Sequence, residues 1–146
     1  MRKILSLLIL TACTSIYALS QEVIVEAETD TSVIYIGDQV EYTVSIRQPS
    51  DIKLKVPVYN DTLSGNIEIL SQSELDTVSL EDEVLQLIKT YRITSFDTGY
   101  YQIPPYYLEY ETGQGKKRFY SDYVPLRVLR VNISPPDSTD VIFDRN

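Results

Sequence analysis

Nine residues, Ser95-Phe96-Asp97-Thr98-Gly99-Tyr100-Tyr101-Gln102-Ile103, constrain the fold more than any other part of the chain. Asp-x-Gly-x-Tyr after an apolar run is how the chain enters the penultimate strand of certain two-sheet β folds, where a tyrosine hydroxyl bonds back to main chain a few residues upstream. Asp97, Gly99 and Tyr101 are therefore expected to form a structural corner. Gly99 supplies unusual backbone angles, and Tyr101 supplies the hydroxyl. A corner of this kind specifies architecture and leaves activity open.

The rest of the chain alternates with period two. Val40, Tyr42, Val44 and Ile46 alternate with Glu41, Thr43, Ser45 and Arg47, and Ile52, Leu54, Val56 and Val58 alternate with Lys53, Lys55 and Pro57. Each run predicts a strand with one wet face. Val23–Ala27 and Ser32–Ile36 predict earlier strands, Gly37-Asp38 a turn, and Asn66–Leu70 a short strand after Ser64-Gly65. Tyr106–Glu111 and Lys117–Val131 flank Gly113-Gln114-Gly115 as a hairpin. Leu80, Val84, Leu87, Ile88 and Tyr91 also fall at helical spacing behind a Ser79-Leu80-Glu81-Asp82 capping box. The strand alternative faces Leu85, Leu87, Tyr91 and Ile93 inward with Lys89 as an exception, and it is preferred because the Asp97 corner needs a strand arriving before it. Asp61–Glu83 has no clear topology. The expected class is all-β, an antiparallel immunoglobulin-like β-sandwich of about seven or eight strands.

Residues 1–20 carry an export address: basic Arg2 and Lys3, apolar Ile4 to Leu10, and small-x-small Ala18-Leu19-Ser20 before Gln21. The apolar stretch falls short of the ~20 residues that span a bilayer. Leu10-Thr11-Ala12-Cys13 offers a competing reading as a lipobox with Cys13 lipidated, which converts a free product into a tethered one. The leader would then be short and the tether apolar, so cleavage before Gln21 is preferred. Either route leads out of the cytoplasm, to the periplasm or cell envelope of a Gram-negative bacterium. Loss of Arg2 and Lys3 from the 13 basic residues leaves 11 against 21 acidic ones, a net charge of −10. Nucleic acid is a poor partner for such a surface. Residues 21–133 form one sandwich domain, and 134–146, with Ser134-Pro135-Pro136-Asp137, form a linker or truncated tail.

Composition removes much catalytic chemistry. The chain has no histidine, and its one cysteine is Cys13. A Ser-His-Asp triad, an imidazole metal ligand and, after cleavage, a thiolate site or disulfide are all excluded. Scattered carboxylates such as Glu81-Asp82-Glu83 read as a solvated loop, and no alternating Asp loop for calcium is present. No catalytic residue, metal site or cofactor is expected.

The remaining candidate is a recognition surface. Tyrosine brings large contact area at low entropic cost, and seven of the 12 tyrosines cluster after residue 99. The expected binding face is the last hairpin, with Tyr106, Tyr110, Tyr120 and Tyr123 beside the basic run Lys116, Lys117 and Arg118. A carbohydrate-binding or adhesin-like module is the alternative, weakened by the absence of tryptophan.

Val33-Ile34-Tyr35-Ile36-Gly37-Asp38-Gln39-Val40, Val56-Pro57-Val58-Tyr59-Asn60-Asp61-Thr62-Leu63 and Tyr91-Arg92-Ile93-Thr94-Ser95-Phe96-Asp97-Thr98-Gly99-Tyr100-Tyr101-Gln102-Ile103-Pro104-Pro105 together resemble the amino-terminal domain of BatD-like proteins, exported membrane components of oxygen-tolerance (aerotolerance) operons. The resemblance covers residues 21 to 133. It implies a non-catalytic protein-interaction module of the envelope, acting beside von Willebrand-type and MoxR-type proteins. That family continues into further domains or a membrane helix, so the sequence reads either as a fragment, with a missing C-terminal segment as its membrane tether, or as a minimal relative.

Overall fold

Val40–Pro49 and Val124–Leu129 alternate more and less buried side chains as strands with one wet face do, and two layers result. The structure is a computed structural model that describes residues 22–133. The leader, Cys13 and the 134–146 segment lie outside the described residues. The first layer contains β1 (Ile24–Thr29), β3 (Val40–Pro49), β7 (Val84–Thr94), β5 (Ile67–Gln72) and β4 (Thr62–Ser64) in that order, with β6 (Asp76–Ser79) also beside β7. The second contains β2 (Val33–Tyr35), β11 (Val124–Leu129) and β8 (Gly99–Ile103), and a separate pair, β9 (Tyr107–Thr112) with β10 (Gly115–Tyr120). The protein is all-β. Its core is built from alternate residues such as Val40, Tyr42, Val44 and Ile46 on β3, facing Leu108, Leu126 and Val128 of the other layer. Each such side chain contributes about 1.5–3 kcal/mol by leaving water.

Among the described residues eleven strands form rather than seven or eight, because long strands are interrupted. β8 and β9 face β11 and β10 as one hairpin with the register intact: Ile103 lies opposite Val124, and Tyr107 opposite Tyr120. Between them Pro104 and Pro105 have no amide hydrogen to donate, so the ladder breaks. Tyr106 N–H donates to Ser121 Oγ at 2.9 Å, and Ser121 N–H donates to the Tyr106 carbonyl at 2.9 Å. Two residues lie between inward Ile103 and inward Tyr106, and likewise between Ser121 and Val124, so the buried face changes phase across the break on both strands. β5 and β6 are similarly two parts of one run along β7, parted at Ser73-Glu74-Leu75.

Several expectations are corrected. The pairing of β2 with β11 is parallel, an exception to an otherwise antiparallel arrangement. Ile52–Val58 is not a strand: only Lys55 bridges to Glu109, Pro57 lacks a donor, and Val58 is 85 % exposed. The helical alternative over 80–91 gives way to a β6–β7 turn in which Asp82 (φ 59°) and Glu83 (φ 57°) are left-handed. Tyr91 and Ile93 are buried and Leu87 packs against the core, as the strand reading requires. Lys89 lies opposite Val44 on the inner face; its ammonium escapes to donate to the Ser73 carbonyl and lies 5.5 Å from the Tyr91 ring centre.

The corner forms, by a different use of its glycine. The Tyr101 hydroxyl donates to the Asp97 carbonyl at 3.0 Å and lies 3.4 Å from that of Thr98. Gly99 is absent from the positive-φ residues, so it does not supply unusual angles. A Cβ there would sit 3.3 Å from Tyr101 Cζ and hydroxyl, so the position is kept small by the tyrosine ring. The corner is tied to the first turn: Gly37 N–H donates to the Ser95 carbonyl at 3.0 Å, and Thr94 Oγ1 donates to the Asp38 carbonyl at 2.7 Å.

Candidate interaction face

Strand alternation decides which residues of the final hairpin share a face. Directly opposite residues in an antiparallel pair lie on one side of the sheet. Tyr107 faces Tyr120, Glu109 faces Arg118, and Glu111 faces Lys116, which makes the outward side. Leu108 faces Phe119 and Tyr110 faces Lys117, which makes the side turned to the core.

The expected face is therefore divided. Tyr106 is 1 % exposed and belongs to the core, where its hydroxyl lies 3.0 Å from that of Tyr91. It cannot touch a partner. Tyr110 is half-buried on the inner side, while Tyr120 (57 % exposed) and Tyr123 (60 %) are open to solvent. The basic run is split in the same way. Lys116 and Arg118 point outward, and Lys117 lies on the other side with its ammonium 4.9 Å from the Phe119 ring centre.

The two outward cations are paired rather than free. Glu109 lies 3.4 Å from Lys116 through one carboxylate oxygen and 3.4 Å from Arg118 through the other, and Glu111 lies 3.9 Å from Lys116. Arg118 also stands 5.1 Å from the centre of the Tyr107 ring, which packs 6.4 Å from Tyr120. The Arg118 pKa is raised, first through the Tyr120 side chain and then through Glu109. On the far side of β9, Lys55 N–H donates to the Glu109 carbonyl at 2.8 Å, and Glu109 N–H returns a bond to Lys55 at 3.1 Å. Lys55, Glu109 and Arg118 thus form a row across three chain segments. Lys53 and Glu111 line, with Lys55 and Glu109, a surface groove of about 490 Å³. Among the described residues neither Lys53 nor Lys55 is ion-paired.

Sequence reasoning missed Lys53, Lys55, Tyr107 and Glu109. Period-two counting from Tyr120 would have placed Lys116 with Arg118 and apart from Lys117, but the Lys55–Glu109 contact is long-range and has no local signal. Among the described residues ten are lysine or arginine, and five of them (Lys53, Lys55, Lys116, Lys117, Arg118) lie in this unit. Charge is segregated here on a chain whose net charge is −8. No group of three or more cysteine or carboxylate side chains converges to hold a metal among the described residues. No family model matches the chain, and searches of curated proteins and of solved structures also find no match.

Proposed function

We propose that the chain is an exported, non-catalytic protein-interaction module of the bacterial cell envelope, the role implied by its resemblance to the amino-terminal domain of BatD-like proteins. The observation that carries this reading is the outward side of β9 and β10, where Tyr107 and exposed Tyr120 adjoin Lys116 and Arg118, with Lys53 and Lys55 across Glu109. Aromatic and arginine side chains beside a local excess of positive charge are what interface cores favour. The immunoglobulin-like assignment is supported by the β1-β3-β7-β5 order facing β2-β11-β8, with the first two strands divided between layers.

The test is a pull-down from an envelope fraction with the full chain as bait. Capture of von Willebrand-type or MoxR-type proteins is the expected result. Retention on glycans without protein capture would replace this reading with the carbohydrate-binding alternative. Mass analysis of the exported product should find Gln21 at its amino terminus; an acylated product starting at Cys13 would make the module membrane-tethered.

A further inference from the structure

We propose that the open edge of β10 takes up an extended acidic strand of a partner protein, one with carboxylates at alternate residues, as an added strand of the β9–β10 pair. This rests on the interaction-module reading above and specifies what the module grips.

The first ground is the edge itself. Among the described residues β10 is hydrogen-bonded to β9 alone; β1 of the other layer approaches it without pairing, so the far side of Gly115–Tyr120 has no ladder partner. An extended polypeptide satisfies such an edge with main-chain bonds, the basis of β-augmentation.

The second ground is the order of charges across the outward face. One row runs Lys55, Glu109, Arg118, positive, negative, positive, and ends at the open edge on the positive member. The neighbouring row pairs Glu111 with Lys116 and likewise ends positive at the edge. Opposite charges directly across strands stabilise a sheet, and like charges destabilise it. The next strand in the alternation is therefore negative at two positions two residues apart, about 7 Å along an extended chain. Tyr120, 57 % exposed, closes the edge with an aromatic surface for a third alternate residue.

The same charges select the partner. Pairing β10 with β10 of a second copy would oppose lysine and arginine to one another and is disfavoured. A long polyanion such as nucleic acid would also meet the repulsion of a chain with net charge −8, whereas a short acidic strand engages only the local excess.

The experiment uses the full chain and three labelled peptides of one length, followed by fluorescence anisotropy at low salt. The first alternates glutamate with valine, the second has the same composition with its glutamates adjacent, and the third alternates lysine with valine. The alternating acidic peptide should bind, weaken with salt and slow amide exchange along Gly115–Tyr120. Lys116→Glu with Arg118→Glu should reduce its affinity about tenfold or more and transfer preference to the lysine peptide. If that variant fails to fold, comparison of the two acidic peptides on the unaltered chain decides the matter. Equal binding of both, no binding of the alternating one, or unchanged exchange on β10 overturns the proposal. Continued capture of envelope proteins alongside such a failure removes this site and leaves the interaction reading standing; loss of both removes both.

Discussion

The hydroxyls of Tyr91 and Tyr106 lie 3.0 Å apart in the core and join the two layers. Tyr91 comes from β7 in the first layer, and Tyr106 from the break between β8 and β9 in the second. Neither hydroxyl has another hydrogen-bond partner among the described residues, and the rings of Tyr42 and Tyr59 pack around them. Replacing either by phenylalanine leaves its partner buried and unbonded, at a cost of about 1–3 kcal/mol. The double substitution should cost clearly less than the two single ones added together. Denaturant melts of the four proteins check this, and strict additivity would show that the hydroxyls do not interact.

The same cluster makes stability sensitive to alkali. Burial raises the pKa of Tyr42, Tyr59, Tyr91 and Tyr106 above the ordinary tyrosine value of 10.0; the hydrogen bond shared by Tyr91 and Tyr106 adds to this at Tyr106 and acts in the opposite direction at Tyr91. The unfolded chain releases these protons near pH 10 while the folded chain retains them, so stability is fully present below that pH and falls above it. Unfolding followed by circular dichroism should begin above about pH 10 and coincide with tyrosinate absorbance. Tyrosinate formation by these residues in a chain that stays folded would contradict their burial.

At the corner, Tyr101→Phe removes the bond to the Asp97 carbonyl and should destabilise the domain by about 0.5–1.5 kcal/mol. Gly99→Ala should also lower the melting point, because its new methyl group would meet the Tyr101 ring at 3.3 Å. In the Tyr101→Ala background that second effect should vanish. Thermal melts of the three variants and the combination distinguish a steric role for Gly99 from a conformational one.

At the β6–β7 turn, Glu83 holds a left-handed φ of 57° while its carbonyl accepts from Ser50 N–H at 2.8 Å. Glycine adopts this conformation without the penalty of a side chain and keeps the carbonyl. Glu83→Gly should therefore stabilise the protein by about 0.5–1 kcal/mol. A lower melting point would mean that the glutamate side chain contributes more than its backbone strain costs.

Much of this architecture is legible where the signal is local. Alternation from Val40 to Ile46 places β3, Gly37-Asp38 marks its turn, and Tyr101 announces its own bond to Asp97. Legibility fails where long-range pairing or backbone chemistry overrides the pattern. Ile52–Val58 alternates as a strand does, but Pro57 cannot donate and only Lys55 finds a partner. Tyr106 follows two prolines that shift the phase of burial, so counting from Ile103 turns it outward when it lies inside. The basic run is contiguous in sequence and divided in space, and its carboxylate partners on β9 become visible only once the hairpin register is known.

The parallel pairing of Val33–Tyr35 with Arg127–Leu129 joins nearly the first described strand to the last. Chains are synthesised from the amino terminus, so β2 emerges long before its only strand partner among the described residues exists. Ile34 has no β11 to cover it until Val128 has been added, and the second layer cannot close on a shorter chain. Closure over so long a loop is entropically slow. The fold is thus built to complete itself late, after almost the whole domain has been delivered, and a chain shortened before Leu129 should leave the ribosome unable to seal its own core.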